Sequence, residues 1–260
     1  MNRLRRCSIL GALLFAAALT GCVTRQAAPP GQAPPVHIRP SPLQGRPFDV
    51  VPAESSLIVL VYRAGPLAAF GHNHVVSCRC VSGKIYLPRD PLRAGFDLRI
   101  GVEQLTVDDP ALRAAEHSED FPPDVPEAAR EGTRHNMLSA ALLNAAQYPG
   151  ITLRSAGLRS SAHGRPGDIV AQVLVGLDGQ THSVAVPMHY QIGADQVVAS
   201  GEFPLKQTDL GLTPFNAVGG ALRVRDGMTV RLRLVARPAD ARTGPVAGRD
   251  APYAYAGGRE

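Results

Sequence analysis

DIVAQVLVGLDGQTHSVAVPMHYQI, residues 168–192, decides the fold. Ile169, Ala171, Val173, Val175 and Leu177 recur every second residue, as one face of a strand requires. Val184, Val186, Met188, Tyr190 and Ile192 do the same on the far side of Asp178-Gly179. An Asp-Gly pair between two alternating runs is a two-residue hairpin signal. Working outward, Phe96, Leu98, Ile100 and Val102 alternate with polar or small residues. Val230, Leu232, Leu234 and Ala236 form a further face, and Leu57 to Tyr62 is a shorter, nearly continuous apolar strand.

One segment has helical periodicity. Over residues 127–147, Met137, Leu138, Ala141, Leu142 and Ala145 share a face. Pro126 suits the first turn, and Pro149 ends the helix and drives Tyr148 toward extended geometry. Many antiparallel strands with one inserted α-helix imply a mainly β fold, a closed barrel or a sandwich. Periodicity alone does not choose between the two.

The flanks are of another kind. Arg3, Arg5 and Arg6 precede an apolar run from Ile9 to Leu19, about half of what spans a bilayer. The run closes on Leu19-Thr20-Gly21-Cys22. This is a secretory signal, residues 1–21, similar to those of bacterial lipoproteins, in which the cysteine (here Cys22) is lipidated. Val23 follows where an aspartate would favour inner-membrane retention, so the expectation is a periplasm-facing anchor at the outer membrane. Residues 22–48 are rich in Pro, Ala and Gln and read as a tether. Residues 49–238 are the folded domain, and 239–260 read as a disordered tail.

Composition narrows the function. Loss of 1–21 removes three arginines and no acid, taking the formal charge from +5 to +2. Tryptophan is absent and aromatics are 5%, which argues against a base-stacking, nucleic-acid surface. Beyond Cys7 and Cys22, only Cys78 and Cys80 remain, too few for a disulfide scaffold. No Gly-x-Ser-x-Gly elbow, phosphate-cradling loop or His-Glu-x-x-His helix occurs. Asp108, Asp109, Glu119 and Asp120 read as solvated loop charge.

Four segments together resemble the YceI-like family. They are Tyr148-Pro149-Gly150-Ile151-Thr152-Leu153-Arg154-Ser155 after the helix, the hairpin Val173 to Val186 turning at Gly179, the run Phe203 to Leu212, and Asp226-Gly227-Met228-Thr229-Val230 before the closing strand. The resemblance implies a lipocalin-like antiparallel barrel of about eight strands that binds a long isoprenoid lipid or isoprenoid quinone inside, without catalysis. Candidate lining residues are Phe70, Phe96, Leu98, Ile100, Val102, Val184, Val186, Met188, Tyr190 and Phe215, the opposite parity being the alternative. Partners are then the lipid and, through the anchor, a membrane; the oligomeric state is open.

The stretch RAGPLAAFGHNH, residues 63–74, departs from the family pattern and carries a rival reading. His72, His74, Cys78 and Cys80 share one parity, and imidazole and thiolate suit zinc or copper. Eight residues of strand span about 27 Å, so four cannot hold one ion without a fold-back. His72 and His74 can chelate only with a third ligand, such as His117 or His135. Cys78 and Cys80 can form a disulfide, though i, i+2 in a strand suits one poorly. His163, His182 and His189 read as surface or barrel-wall residues. The alternative function is therefore a periplasmic metal-binding protein or oxidoreductase.

Overall fold

The computed structural model describes residues 38–239; the signal, Cys22 and most of the tail lie outside the described residues. Twelve strands run in chain order. β1 is Arg46–Val50, β2 Ser56–Ala64, β3 His74–Cys78, β4 Ser82–Leu87, β5 Gly95–Gly101 and β6 Thr106–Val107. β7 is Gly150–Ser160, β8 Asp168–Leu177, β9 Gln180–Ile192, β10 Val197–Lys206, β11 Asn216–Ala217 and β12 Leu222–Pro238. Two helices, α1 (Pro110–Ala115) and α2 (Glu127–Leu138), stand between β6 and β7.

Eight strands close an antiparallel barrel in the order β1-β4-β5-β7-β8-β9-β10-β12, with β12 returning to β1. β12 is long enough to serve four partners, the short β11 at its start among them. One edge pairs with β10, from Lys206↔Gly227 to Val197↔Ala236. The other edge is divided: Arg223 to Arg233 pair with β2, and Ala236 to Pro238 with β1. Between those strands the chain steps sideways at Ser55. Its buried hydroxyl donates to Val51 O at 2.9 Å and accepts from Val235 N at 3.0 Å. From β2 the sheet continues outside the closed ring through β3 and β6.

The β8–β9 hairpin pairs from Asp168↔His189 to Leu177↔Gln180. Its two turn residues, Asp178 and Gly179, have φ of 47° and 72°. Two left-handed residues match the strand twist, and glycine takes that conformation without strain. A Cβ at position 179 would also sit 2.6 Å from the Tyr148 hydroxyl. Gly179→Val is expected to cost about 1–3 kcal/mol, read as a lower denaturant midpoint at unchanged m.

The nearly continuous apolar run in β2 has two buried faces. Leu57 and Val59 pack into the barrel core. Ile58, Leu60 and Tyr62 point outward into a second cluster with Val75, Leu112 and Phe121. The second cluster is covered by α1 and the loop after it, so alternation is erased.

Helical structure differs from the expected 127–147 in two ways. α2 stops at Leu138, because Ser139 turns extended (ψ 163°) and its hydroxyl donates to Asn136 O at 2.8 Å. A serine hydroxyl that bonds the preceding turn competes with helix continuation. Residues 139–147 then form tight turns, with Asn144 at φ 46°, that still bury Leu143 and Ala145. The apolar spacing therefore survives without the helix. α1 is additional: Asp109 accepts from Ala111 N and Leu112 N at 2.9 and 3.0 Å, and Pro110 starts the turn. Six residues are too few for a 3.6 period to register.

Registers sort the connections. Tyr86↔Gly95, Ser160↔Ile169 and Ile192↔Val197 place the β4–β5, β7–β8 and β9–β10 connections at one end of the barrel. The β8–β9 turn and the Gly101↔Gly150 pair mark the other end, where Val102, Leu105, Met137 and Leu143 are buried in the same core. Residues 38–48, read as the last part of the tether, lie against the domain. Ser41 N donates to Ser155 O at 2.7 Å, and Phe48 and Val50 of β1 are buried.

Candidate functional site: the barrel interior

Strand alternation sends one face of each barrel strand inward, and the inward side chains do not fill the ring. They leave a cavity of about 230 Å³. β5 contributes Phe96, Leu98 and Ile100; β9 contributes Val184, Val186, Met188 and Tyr190. These are seven of the ten sequence candidates; they have the parity first named and face one cavity from two walls, β5 and β9 being separated in the ring by β7 and β8. The remaining three lie elsewhere. Val102 is fully buried but outside the lining, since β5 has ended and residues 102–104 turn as a 3-10 segment. Phe70 is 80% exposed on the 3-10 turn after β2, and Phe215 is 42% exposed in the loop before β11. Neither sits on a barrel strand, so the alternation that places the others does not apply to them.

Residues not singled out from sequence complete the wall, notably Leu153 and Leu158 of β7, Phe203 of β10 and Leu232 of β12. Leu232 was legible as part of an alternating face. Leu158 was not: β7 shifts register between Ser155 and Gly157, so inward parity changes from odd to even. The bulge has its own logic. Ser155 is buried, and its hydroxyl accepts from Phe96 N at 3.0 Å, replacing a ladder bond.

Chemically the lining is uniform. Every lining side chain is apolar except for the hydroxyl of Tyr190. Among the described residues, no carboxylate, imidazole, amine or thiol faces the cavity. An interior of this kind takes up hydrocarbon and leaves any polar head group at the end where the wall meets water. Ile192 identifies that end: it lines the cavity and is 44% exposed, beside the β9–β10 connection.

The titratable groups gather instead on the outer side of β3. Asp108 and Arg113 are fully buried. Asp108 accepts from Arg113 Nη1 at 2.6 Å, Val75 N at 2.8 Å and His74 Nδ1 at 2.7 Å. Arg113 also donates to Asn73 O at 2.7 Å and Pro122 O at 2.6 Å, while its Nη2 is buried without a partner among the described residues. Burial by itself raises the Asp108 carboxyl; the bonds from His74, Val75 and Arg113 outweigh it and hold the group below its ordinary 3.8. Asp108 is thus a core ion, not the solvated loop charge its neighbours suggested. Asp109 caps α1, and Glu119 and Asp120 are exposed.

This arrangement also places the rival metal candidates. His74 is committed to Asp108, and no group of three potential ligands converges among the described residues. His72 lies on the loop before β3, with His117 and His135 exposed elsewhere. Cys78 and Cys80 are joined as a disulfide, Cα atoms 5.3 Å apart. This is feasible because β3 ends at Cys78 and the chain turns toward β4. Among the remaining histidines, His163 is exposed, His182 packs beside Gly211, and His189 bonds Asp168 at 2.7 Å.

A family model described as a YceI-like domain matches residues 50–236. BcnA of Burkholderia cenocepacia has a similar structure, with TM-score 0.51 at 14% identity, over 72% of this chain and 98% of that one. A polyisoprenoid binding domain from Saccharophagus degradans gives TM-score 0.47 at 12% identity, over 74% of this chain and 98% of that one. A YCEI protein of Campylobacter jejuni gives 0.40 at 11%, over 60% and 80%. No curated protein matches the chain.

Proposed function

Because the chain belongs to the YceI-like family, we propose that it is a non-enzymatic binding protein that holds an isoprenoid-type lipid or isoprenoid quinone inside its barrel. One observation carries the reading: a closed eight-stranded barrel surrounds a cavity whose only polar side-chain group, among the described residues, is the Tyr190 hydroxyl. Each methylene moved from water into such a lining contributes about 0.8 kcal/mol, so a few isoprene units suffice for tight binding without a polar anchor. Among the described residues the wall is apolar apart from that hydroxyl, a lining suited to holding an apolar ligand. Native mass spectrometry with lipid extraction of the purified protein tests this. A co-purifying or added prenyl lipid at about one per chain is the expected result. A protein that is always empty and takes up no prenyl lipid would overturn the reading.

The proposal extends to location. Cys22 carries the acyl anchor, and the domain faces the periplasm from the outer membrane. The support is the signal sequence ending in Leu19-Thr20-Gly21-Cys22, with Val23 after it. Radiolabelled fatty acid should enter the wild-type chain and not Cys22→Ala, which should leave the membrane fraction. Equal labelling of the two would refute the assignment.

A further inference from the structure

We propose that the mouth of the barrel, where Ile192 is exposed, is a docking face for an anionic lipid bilayer. The proposal rests on the binding reading in one respect: a docked mouth opens the cavity onto the hydrocarbon that supplies its ligand.

Three observations meet at this end. The first is exposed aliphatic surface. Ile38, Leu43 and Ile192 are 40%, 44% and 44% exposed. Registers and contacts put Leu43 and Ile192 at the same end of the barrel: Ser41 N bonds Ser155 O near the β7 bulge, Pro42 and Leu43 approach Gly95 at the start of β5, and Ile192 ends β9, while Ile38 is five residues before Leu43 on the incoming chain. The second is charge. Arg39, Arg89, Arg93 and Arg159 are exposed on the incoming chain, the β4–β5 connection and the end of β7. None has a carboxylate partner among the described residues. Of the acids nearby, Asp90 accepts from Leu92 N, and Asp168 is occupied by His189 and Arg165. Asp90 and Asp195 are the exposed acids without a cationic partner among the described residues, two against four arginines. Exposed aliphatic side chains at the same end as unpaired arginines complement an anionic surface, where each arginine contributes on its own. The third is continuity. Ile192 belongs both to the rim and to the cavity lining, and β1 enters the barrel from this end, Arg46 pairing with Leu87.

A competing face exists. Phe70 and Phe215 are exposed on turns beside β2 and β11, but neither lines the cavity. The absence of tryptophan from the chain makes the choice testable without background. Single probes Leu43→Trp, Phe70→Trp and Gln180→Trp are placed in the full chain carrying Cys22→Ser, so that no acyl group supplies attachment. Leu43 lies outside the cavity lining, so ligand uptake alone does not move its signal. Vesicles are phosphatidylcholine, with or without phosphatidylglycerol, and brominated phospholipid serves as quencher. The expected result is a blue shift and quenching at position 43 with phosphatidylglycerol present, and neither at 70 nor 180. Arg89→Glu/Arg93→Glu/Arg159→Glu should weaken flotation with the anionic vesicles about tenfold or more, with an unchanged circular dichroism spectrum. Any contribution from the apolar segment 9–19 is common to every arm. Quenching at 70 or 180 in place of 43, equal binding to neutral vesicles, or indifference to charge reversal would each overturn the proposal. Lipid occupancy, measured on the same protein, is a separate result: an occupied barrel that does not dock defeats only the docking face, and a docking barrel that never holds lipid defeats only the ligand.

Discussion

Ala199→Phe combined with Val173→Phe should yield a folded barrel with prenyl-lipid occupancy below about a tenth of wild type. Both residues are buried and line the cavity, from β10 and β8. Adding large side chains to a full core costs about 1–3 kcal/mol through strain. Here the added rings enter space that is already open, so their burial offsets that cost. The expected pair of readings is lost lipid by native mass spectrometry and a thermal midpoint no lower than that of the lipid-free wild type. That combination separates a ligand site from a packing defect. If the filled barrel still carries lipid at full occupancy, the ligand does not reside in the interior.

Arg113→Met should lower stability by about 3–5 kcal/mol, the cost of leaving a buried charge without its partner. Asp108 would keep the bonds from His74 and Val75 but lose the guanidinium at 2.6 Å. Adding Asp108→Asn should recover much of the loss, since both charges are then gone. Chemical denaturation of the two single variants and the double variant measures the coupling. Acid adds a second readout. The Asp108 carboxyl is held below 3.8 in the folded state. Its stabilisation is present in full above that ordinary value and fades as pH falls through the lowered one. Asp108→Asn should flatten this part of the acid profile; an unchanged slope would show that other carboxylates set it.

The sequence was legible where a strand has one wet face and one dry face. The hairpin 168–192 announces both its strands and its turn, and parity groups the seven lining residues of β5 and β9, though it does not say which face points inward. Legibility fails where another constraint overrides period two. β2 is buried on both sides, so its face cannot be read. β7 changes parity at its bulge and hides Leu158. Phe70 and Phe215 are large and apolar, but they stand on turns, where no periodicity governs direction. Asp108 is the sharpest case. Its burial depends on Arg113 five residues on and His74 thirty-four residues back, and nothing local distinguishes it from the exposed Asp109. α2 follows the same logic, since residues 139–147 keep helical spacing while turns satisfy their backbone.

The divided edge of β12 has a consequence in time. Phe48 waits for Pro238, and Ser56 for Arg233, so the first strands to leave the ribosome are completed by the last. Until residue 238 has been made, β10 and β1 are open borders and the ring is a curled, unfinished sheet. Pairings between such distant residues form late and slowly. The chain therefore stays threadable for the whole of its synthesis, and becomes a closed container only once its final strand is free.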